Sequence, residues 1–211
     1  MSRRTVVSLT ILLEVALVAG LLWLRSRPVV VDLGAVPPQP QTIVGVHTRL
    51  TDEVEEVKIR RTMRMVRDMG ARWAVEFFPW AYIEPSRGNF DWTHADLVVS
   101  AANEHGITLI ARLDYVPSWA RPKDTTPRYL EEDRYPDFAR FAGEFARHYR
   151  GSVRYIAVWN EQNTSLEWGY RPVDPAAYTR LLAAAHSSIK AANPDAVVLP
   201  GGLAPTLETG G

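Results

Sequence analysis

The sequence contains no cysteine, which excludes disulfides, thiolate nucleophiles and cysteine-ligated metals. It also lacks net charge, since 24 Lys and Arg balance 24 Asp and Glu. A balanced chain has no overall field to draw it to nucleic acid, so no nucleic-acid partner is expected. The five histidines show no metal-ligand spacing. No metal and no organic cofactor is therefore expected. No G-x-G-x-x-G follows the first apolar segment, Ile43–Val46, so the usual dinucleotide-binding signature is missing. What is present is an ordinary globular balance, 46% apolar and 23% charged, in 211 residues. Aromatics are plentiful, with seven Trp and eight Tyr. Most such rings fill cores, while those at strand ends can serve as stacking platforms.

The first 40 residues differ from the rest. Val6 to Leu24 is apolar except for Ser8, Thr10 and Glu14, and Arg3 and Arg4 precede it. As a helix it spans roughly 28 Å, close to a hydrocarbon core. Glu14 costs about 2.5–3.5 kcal/mol near the centre of such a span. The run continues through Leu21-Leu22-Trp23-Leu24 past the small residues Ala19 and Gly20. That favours an uncleaved N-terminal transmembrane anchor over residues 1–24 against its competitor, a cleaved signal peptide. Arg25 and Arg27 balance Arg3 and Arg4, so charge does not fix the orientation. Residues 25–40 carry Pro28, Pro37, Pro38 and Pro40 and read as a semi-rigid linker.

From residue 41 the pattern alternates between short apolar strands and amphipathic helices. Strands are predicted at Ile43–Val46, Trp73–Phe78, Ile107–Leu113, Val153–Val158 and Ala196–Leu199. Asp52, with Glu55 three residues on, predicts a capped helix bearing Ile59, Met63, Val66 and Met69. Thr93 and Asp96 open a second helix, Pro136 a third with Phe138, Phe141 and Phe145, and Asp174-Pro175 a fourth. Alternating strands and helices imply a parallel α/β sheet, either doubly wound or a (β/α)8 TIM-type barrel. The unusual residues follow the strands: His47, then Phe78-Pro79-Trp80, Asp114-Tyr115 and Asn160-Glu161. That distribution suits a barrel, whose chemistry sits at the C-terminal strand ends. A whole barrel takes about 250 residues. Residues 41–211 hold about strands 1–5, so an incomplete barrel is expected.

The most informative stretch is Tyr155-Ile156-Ala157-Val158-Trp159-Asn160-Glu161-Gln162-Asn163. An apolar strand runs directly into a carboxyl group flanked by amides and an aromatic ring. Glycosidic cleavage asks for that set, because an acid must protonate the leaving oxygen while an amide holds a ring hydroxyl.

Trp159-Asn160-Glu161-Gln162-Asn163 resembles the Trp-Asn-Glu-Pro-Asn signature at the fourth strand of clan A glycoside hydrolases, of the β-xylosidase/α-iduronidase-like or cellulase-type families. Two further stretches are similar to segments of those families. They are Trp80-Ala81-Tyr82-Ile83-Glu84-Pro85-Ser86-Arg87-Gly88-Asn89-Phe90-Asp91-Trp92 and Asp114-Tyr115-Val116-Pro117-Ser118-Trp119-Ala120. The resemblance implies a retaining glycoside hydrolase acting on poly- or oligosaccharides, with Glu161 as acid/base and Asn160 contacting the sugar. His47, Trp80, Tyr115, Trp119, Trp159 and Asn163 are the expected substrate-binding residues. The nucleophile of such enzymes is a glutamate at the seventh strand, so residues 41–211 alone are expected to be inactive. Glu76 and Asp114 are weaker candidates for a second carboxylate. The resemblance also places the catalytic domain outside a cell membrane that the anchor spans once. The competing expectation is a membrane-tethered, non-catalytic carbohydrate-binding or sensory barrel.

Overall fold

The computed structural model describes Glu14, residues 16–18 and residues 45–208. The expected anchor over residues 1–24 and the linker over 25–40 lie outside these, apart from those first four residues. Among the described residues no helix is long and apolar enough to cross a membrane.

Residues 45–208 form five strands and five helices: β1 Gly45–His47, α1 Glu56–Asp68, β2 Trp73–Pro79, α2 Trp80–Ile83, α3 Thr93–Glu104, β3 Thr108–Asp114, α4 Tyr135–His148, β4 Tyr155–Val158, α5 Pro175–Ala192 and β5 Val197–Pro200. Every neighbouring pair is parallel, and the spatial order is β1-β2-β3-β4-β5. This sequential order separates the two predicted architectures. A doubly wound sheet reverses direction at its first strand, whereas a barrel adds each strand beside the last. The chain is therefore an α/β fold whose parallel sheet resembles that of a TIM barrel.

The faces of the sheet follow the two-residue period of the strands. Ala74 and Phe78 of β2, Leu109, Ala111 and Leu113 of β3, and Ile156 and Val158 of β4 are buried. They meet a helical layer in which Ile59, Met63, Val98, Phe138, Phe141, Phe145, Leu181 and Ile189 are sealed from solvent. The alternate residues, Trp73, Val75 and Phe77 with Thr108, Ile110 and Arg112, stay half-buried on the concave face. Registration places Val75 beside His47 and Ile110, and Phe77 beside Arg112, which in turn lies beside Ala157.

Local chemistry explains several element boundaries. Asp174 accepts from the Ala177 N–H at 2.9 Å, and Pro175 follows it, so α5 starts where expected. Gly106 and Gly151, both at positive φ, end the turns that follow α3 and α4. One expectation is corrected. Asp52 does not cap α1, which begins at Glu56 without a side-chain cap. Both oxygens of buried Glu76 accept the Leu50 N–H at 3.1 Å, and one also accepts the Thr51 hydroxyl at 3.3 Å. This anchor fixes residues 50–55 as a loop, and Asp52 instead faces Arg49.

Candidate active site

The site is built on the C-terminal ends of β3 and β4. Two residues there leave the extended backbone in the left-handed region: Tyr115 directly after β3 and Trp159 directly after β4, both at φ 71°. Glu161 follows at φ 43°. Such angles are uncommon for side chains with a Cβ and persist only where the surroundings hold them. Here the restraints are numerous. The Trp159 amide donates to Leu113 O at 2.9 Å, its indole Nε1 donates to Glu167 O at 2.9 Å, and the Glu161 amide donates to Gly202 O at 2.8 Å. Tyr178 of α5 donates its hydroxyl to Val158 O at 3.0 Å and accepts the Gly201 N–H at 2.8 Å, tying the ends of β4 and β5 together.

This scaffold presents Asn160 and Glu161 side by side, both half-buried. Asn160 Oδ1 accepts from Arg112 Nη1 at 3.1 Å, which orients the amide and leaves Nδ2 without a partner among the described residues. The Glu161 carboxylate likewise has no hydrogen-bond partner among the described residues. Arg112 Nη1 also points at His47 Nε2, 3.4 Å away. Burial and then the Arg112 guanidinium hold His47 below the usual imidazole value, against the pull of the Glu76 and Glu161 carboxylates. A neutral His47 can accept from Arg112 near neutral pH.

Beneath the rim lies an ionic cluster. Asp114, fully buried, accepts from Arg128 Nη1 at 2.5 Å and faces Arg112 Nε at 3.1 Å. Arg128 Nε lies 3.1 Å from Glu167 Oε2. The last two contacts are at ion-pair distance but without hydrogen-bond alignment. Burial pushes the Asp114 carboxyl up to about 6, against the opposing pull of Arg128 and Arg112. The guanidinium of Arg112 covers the Phe77 ring at 4.6 Å, and that of Arg128 lies 5.4 Å from the Tyr115 ring.

The expected site residues therefore divide. Glu161, Asn160 and His47 converge, and Tyr115 stands at the rim with its ring edge-on to Phe77 and Tyr82. Trp119 is half-buried and spends its indole N–H on Glu84 O at 2.9 Å. The expectation for Trp80 is corrected, because its ring is completely buried, stacked on Phe141 and edge-on to Phe138 and Trp119. Trp159 is corrected for the same reason, being wedged between Phe138 and Trp168 with no exposed surface. Asn163 is half-buried and also bonds within the chain. Its amide donates to Ala204 O and its carbonyl accepts from Ala204 N, both at 2.9 Å, so it fastens the segment after β5. Glu76 has both oxygens committed to the β1–α1 loop and Asp114 is clasped by two arginines, so neither presents a free carboxylate.

Arg112, Arg128 and Glu167 were not anticipated. Arg112 did carry a signal, as a lone charge at an inward position of the otherwise apolar strand Thr108–Leu113. Arg128 and Glu167 lie in loops without periodicity, where sequence gives no register.

A parallel, sequentially ordered sheet with a carboxylate and an amide at the end of its fourth strand is the arrangement of the clan A glycoside hydrolases. The family model of glycoside hydrolase 42, described as beta-galactosidase, matches residues 50–170. The chain belongs to that family. No curated protein matches it. Among solved structures it is similar to a family 39 glycoside hydrolase from the gut symbiont Bacteroides cellulosilyticus WH2, with 25% identity and a TM-score of 0.60 over 75% of this chain and 31% of that one. Similar folds are found in the GH39 enzyme from Xanthomonas axonopodis pv. citri, with 21% identity and a TM-score of 0.59 over 74% of this chain and 34% of that one. Another is the exo-beta-1,4-mannosidase from Opitutaceae bacterium strain TAV5, with 17% identity and a TM-score of 0.58 over 75% of this chain and 32% of that one. The chain thus spans about a third of the length of each of these structures.

Proposed function

We propose that this chain carries the acid/base half of a retaining glycosidase site, with Glu161 as the proton donor. The observation that carries the reading is the Glu161 carboxylate itself, unpartnered among the described residues on a backbone held in the left-handed region at the end of β4. Glu76, Asp114 and Glu167, by contrast, are engaged by amides or guanidinium groups. Protonated Glu161 donates to the glycosidic oxygen as the bond to the anomeric carbon breaks. A second carboxylate takes the sugar covalently, and Glu161 then removes a proton from the water that releases it. That chemistry needs the two carboxyl groups about 5–5.5 Å apart. The nucleophile is not among the described residues. Asn160 donates from Nδ2 to a sugar hydroxyl, with Arg112 fixing the direction of the amide.

The description of the matching family makes β-galactosides the first substrates to test. Turnover of aryl β-galactosides with good and poor leaving groups, by the intact gene product and its Glu161→Gln variant, tests the role. Loss confined to the poor leaving groups supports an acid at 161, and unchanged rates remove it. The non-catalytic alternative predicts that the sugar binds without turnover. The apolar run Val6–Leu24 supports a membrane tether, which resistance of the full chain to alkaline extraction from membranes tests, and the proposed action on sugars favours this domain outside the cell, which its digestion by protease added to intact cells tests.

A further inference from the structure

We propose that Arg128 is a positioning residue for the Glu161 chemistry, closing a ring of contacts that fixes the Trp159–Glu161 segment; this rests on the function proposed above. The ring can be traced residue by residue. Asp114 at the end of β3 holds Arg128 through Nη1 at 2.5 Å. Arg128 holds the Glu167 carboxylate through Nε at 3.1 Å. The Glu167 carbonyl accepts the indole N–H of Trp159 at 2.9 Å. Trp159 leads covalently to Asn160, whose side chain accepts from Arg112 at 3.1 Å, and Arg112 returns to Asp114 at 3.1 Å.

Two features make Arg128 the member on which the ring depends. First, it joins elements far apart in sequence, because it stands in the loop between β3 and α4 while Glu167 stands in the loop between β4 and α5. Second, the cluster is neutral only with it, since two guanidinium groups face two carboxylates. Side-chain exposures are 0% for Asp114, 13% for Arg112, 13% for Glu167 and 20% for Arg128. Water therefore screens these charges poorly. Arg128 is the only cation at ion-pair distance from Glu167 among the described residues. Without Arg128 the Glu167 carboxylate is buried and uncompensated, a state that side chains escape by turning toward water. Turning out displaces residue 167, and its carbonyl leaves the Trp159 indole. Trp159, at φ 71°, then loses one of the bonds that hold an otherwise unfavourable backbone. The shift passes directly to Asn160 and Glu161.

The test uses the full chain and compares Arg128→Met, Arg128→Lys and Glu161→Gln by NMR and turnover. In Arg128→Met the Trp159 indole proton is expected to exchange about tenfold faster or more, as local opening becomes easier. The Asn160 side-chain amide resonances move with it. Arg128→Lys, which keeps a charge but cannot bridge both carboxylates, falls between Arg128→Met and the natural protein. Turnover by Arg128→Met falls about tenfold or more in kcat with KM within about twofold, the pattern of a misplaced group rather than lost binding. Unmoved Trp159 and Asn160 resonances, with changes confined to residues 116–131, would make Arg128 a loop-packing residue and overturn the proposal. If Arg128→Met does not fold, Glu167→Gln breaks the same link, keeps the carbonyl and is expected to shift the same resonances. The NMR readout decides the proposal even where no sugar is turned over. Glu161→Gln leaves the indole signal in place, so undiminished turnover in that variant would sink the acid/base reading alone.

Discussion

Two tryptophan–glutamate pairs stand at strand ends of this sheet, and they have opposite fates. After β2, Trp80 donates its indole N–H to Glu84 Oε2 at 2.7 Å, the Gly88 amide donates to Oε1 at 2.6 Å, and Arg140 pairs with the same carboxylate. Glu84 is completely buried and its acceptors are consumed. After β4, the Trp159 indole turns away to a backbone carbonyl, and the Glu161 carboxylate has no partner among the described residues. Both tryptophans are wholly buried, so the rings do not distinguish the regions. The difference lies in what reaches the carboxylate. A glutamate with both oxygens engaged is an anchor, whereas one left half-buried and unpartnered can exchange a proton with a substrate.

The largest effect that could break this contrast is on turnover. Glu161→Gln is expected to slow hydrolysis of glycosides with poor leaving groups by about 100-fold or more, with the thermal midpoint essentially unchanged. Comparable slowing by Glu84→Gln with its stability intact would erase the distinction. Next comes stability. Glu84→Ala removes the partner of Arg140, the Trp80 indole and the Gly88 amide, and is expected to cost about 3–5 kcal/mol in urea unfolding. A loss below about 1 kcal/mol, the scale of an exposed ion pair, would show that the anchor is dispensable.

A smaller effect sharpens the site side of the comparison. A Cβ on Gly201 would approach Gln162 Oε1 to 2.4 Å and Trp159 O to 2.8 Å. Gly201→Ala should therefore cost about 1–3 kcal/mol and disturb the Trp159–Gln162 segment, visible as shifted amide resonances there. The last effect is a pH dependence. Burial raises the Asp114 carboxyl in the folded protein to about 6 from its ordinary 3.8. Between these values the folded state binds more protons than the unfolded state, so this group's contribution to stability falls as pH rises from about 4 through about 6 and is level above that. Thermal midpoints of the natural protein and Asp114→Asn, taken from pH 4 to 8, should show the natural protein losing ground across that window and no further change above pH 7. A gap that does not vary with pH would contradict the raised value.

Much of the fold was legible before any coordinates. The buried positions Ile59, Met63 and Val66 of α1 and Phe138, Phe141 and Phe145 of α4 follow a helical period that only one packing face satisfies. The strand cores around Phe78, Leu113 and Val158 were equally clear. Asp52 misled because a capping pattern is local, while the Glu76 carboxylate that reorganises residues 50–55 comes from a neighbouring strand. Trp80 and Trp159 misled for a related reason. Their position after a strand marks the rim of the sheet, but whether a rim side chain faces the cleft or the helices depends on backbone angles such as φ 71° at Trp159.

The sequence by itself determined the order of strands and helices, the apolar faces that bury them, and the Asn160-Glu161 pair at the end of the fourth strand, because these rest on periodicity and adjacency along the chain. Tertiary structure alone decided which carboxylates at the rim are spent and that Glu161 has no partner among the described residues. Each of Glu76, Glu84, Asp114 and Glu167 has at least one partner, Leu50, Arg140, Arg128 and Arg128 in turn, that arrives from 14 to 56 residues away. Hydrogen bonding and desolvation act through space, and no pattern along the chain encodes those distances.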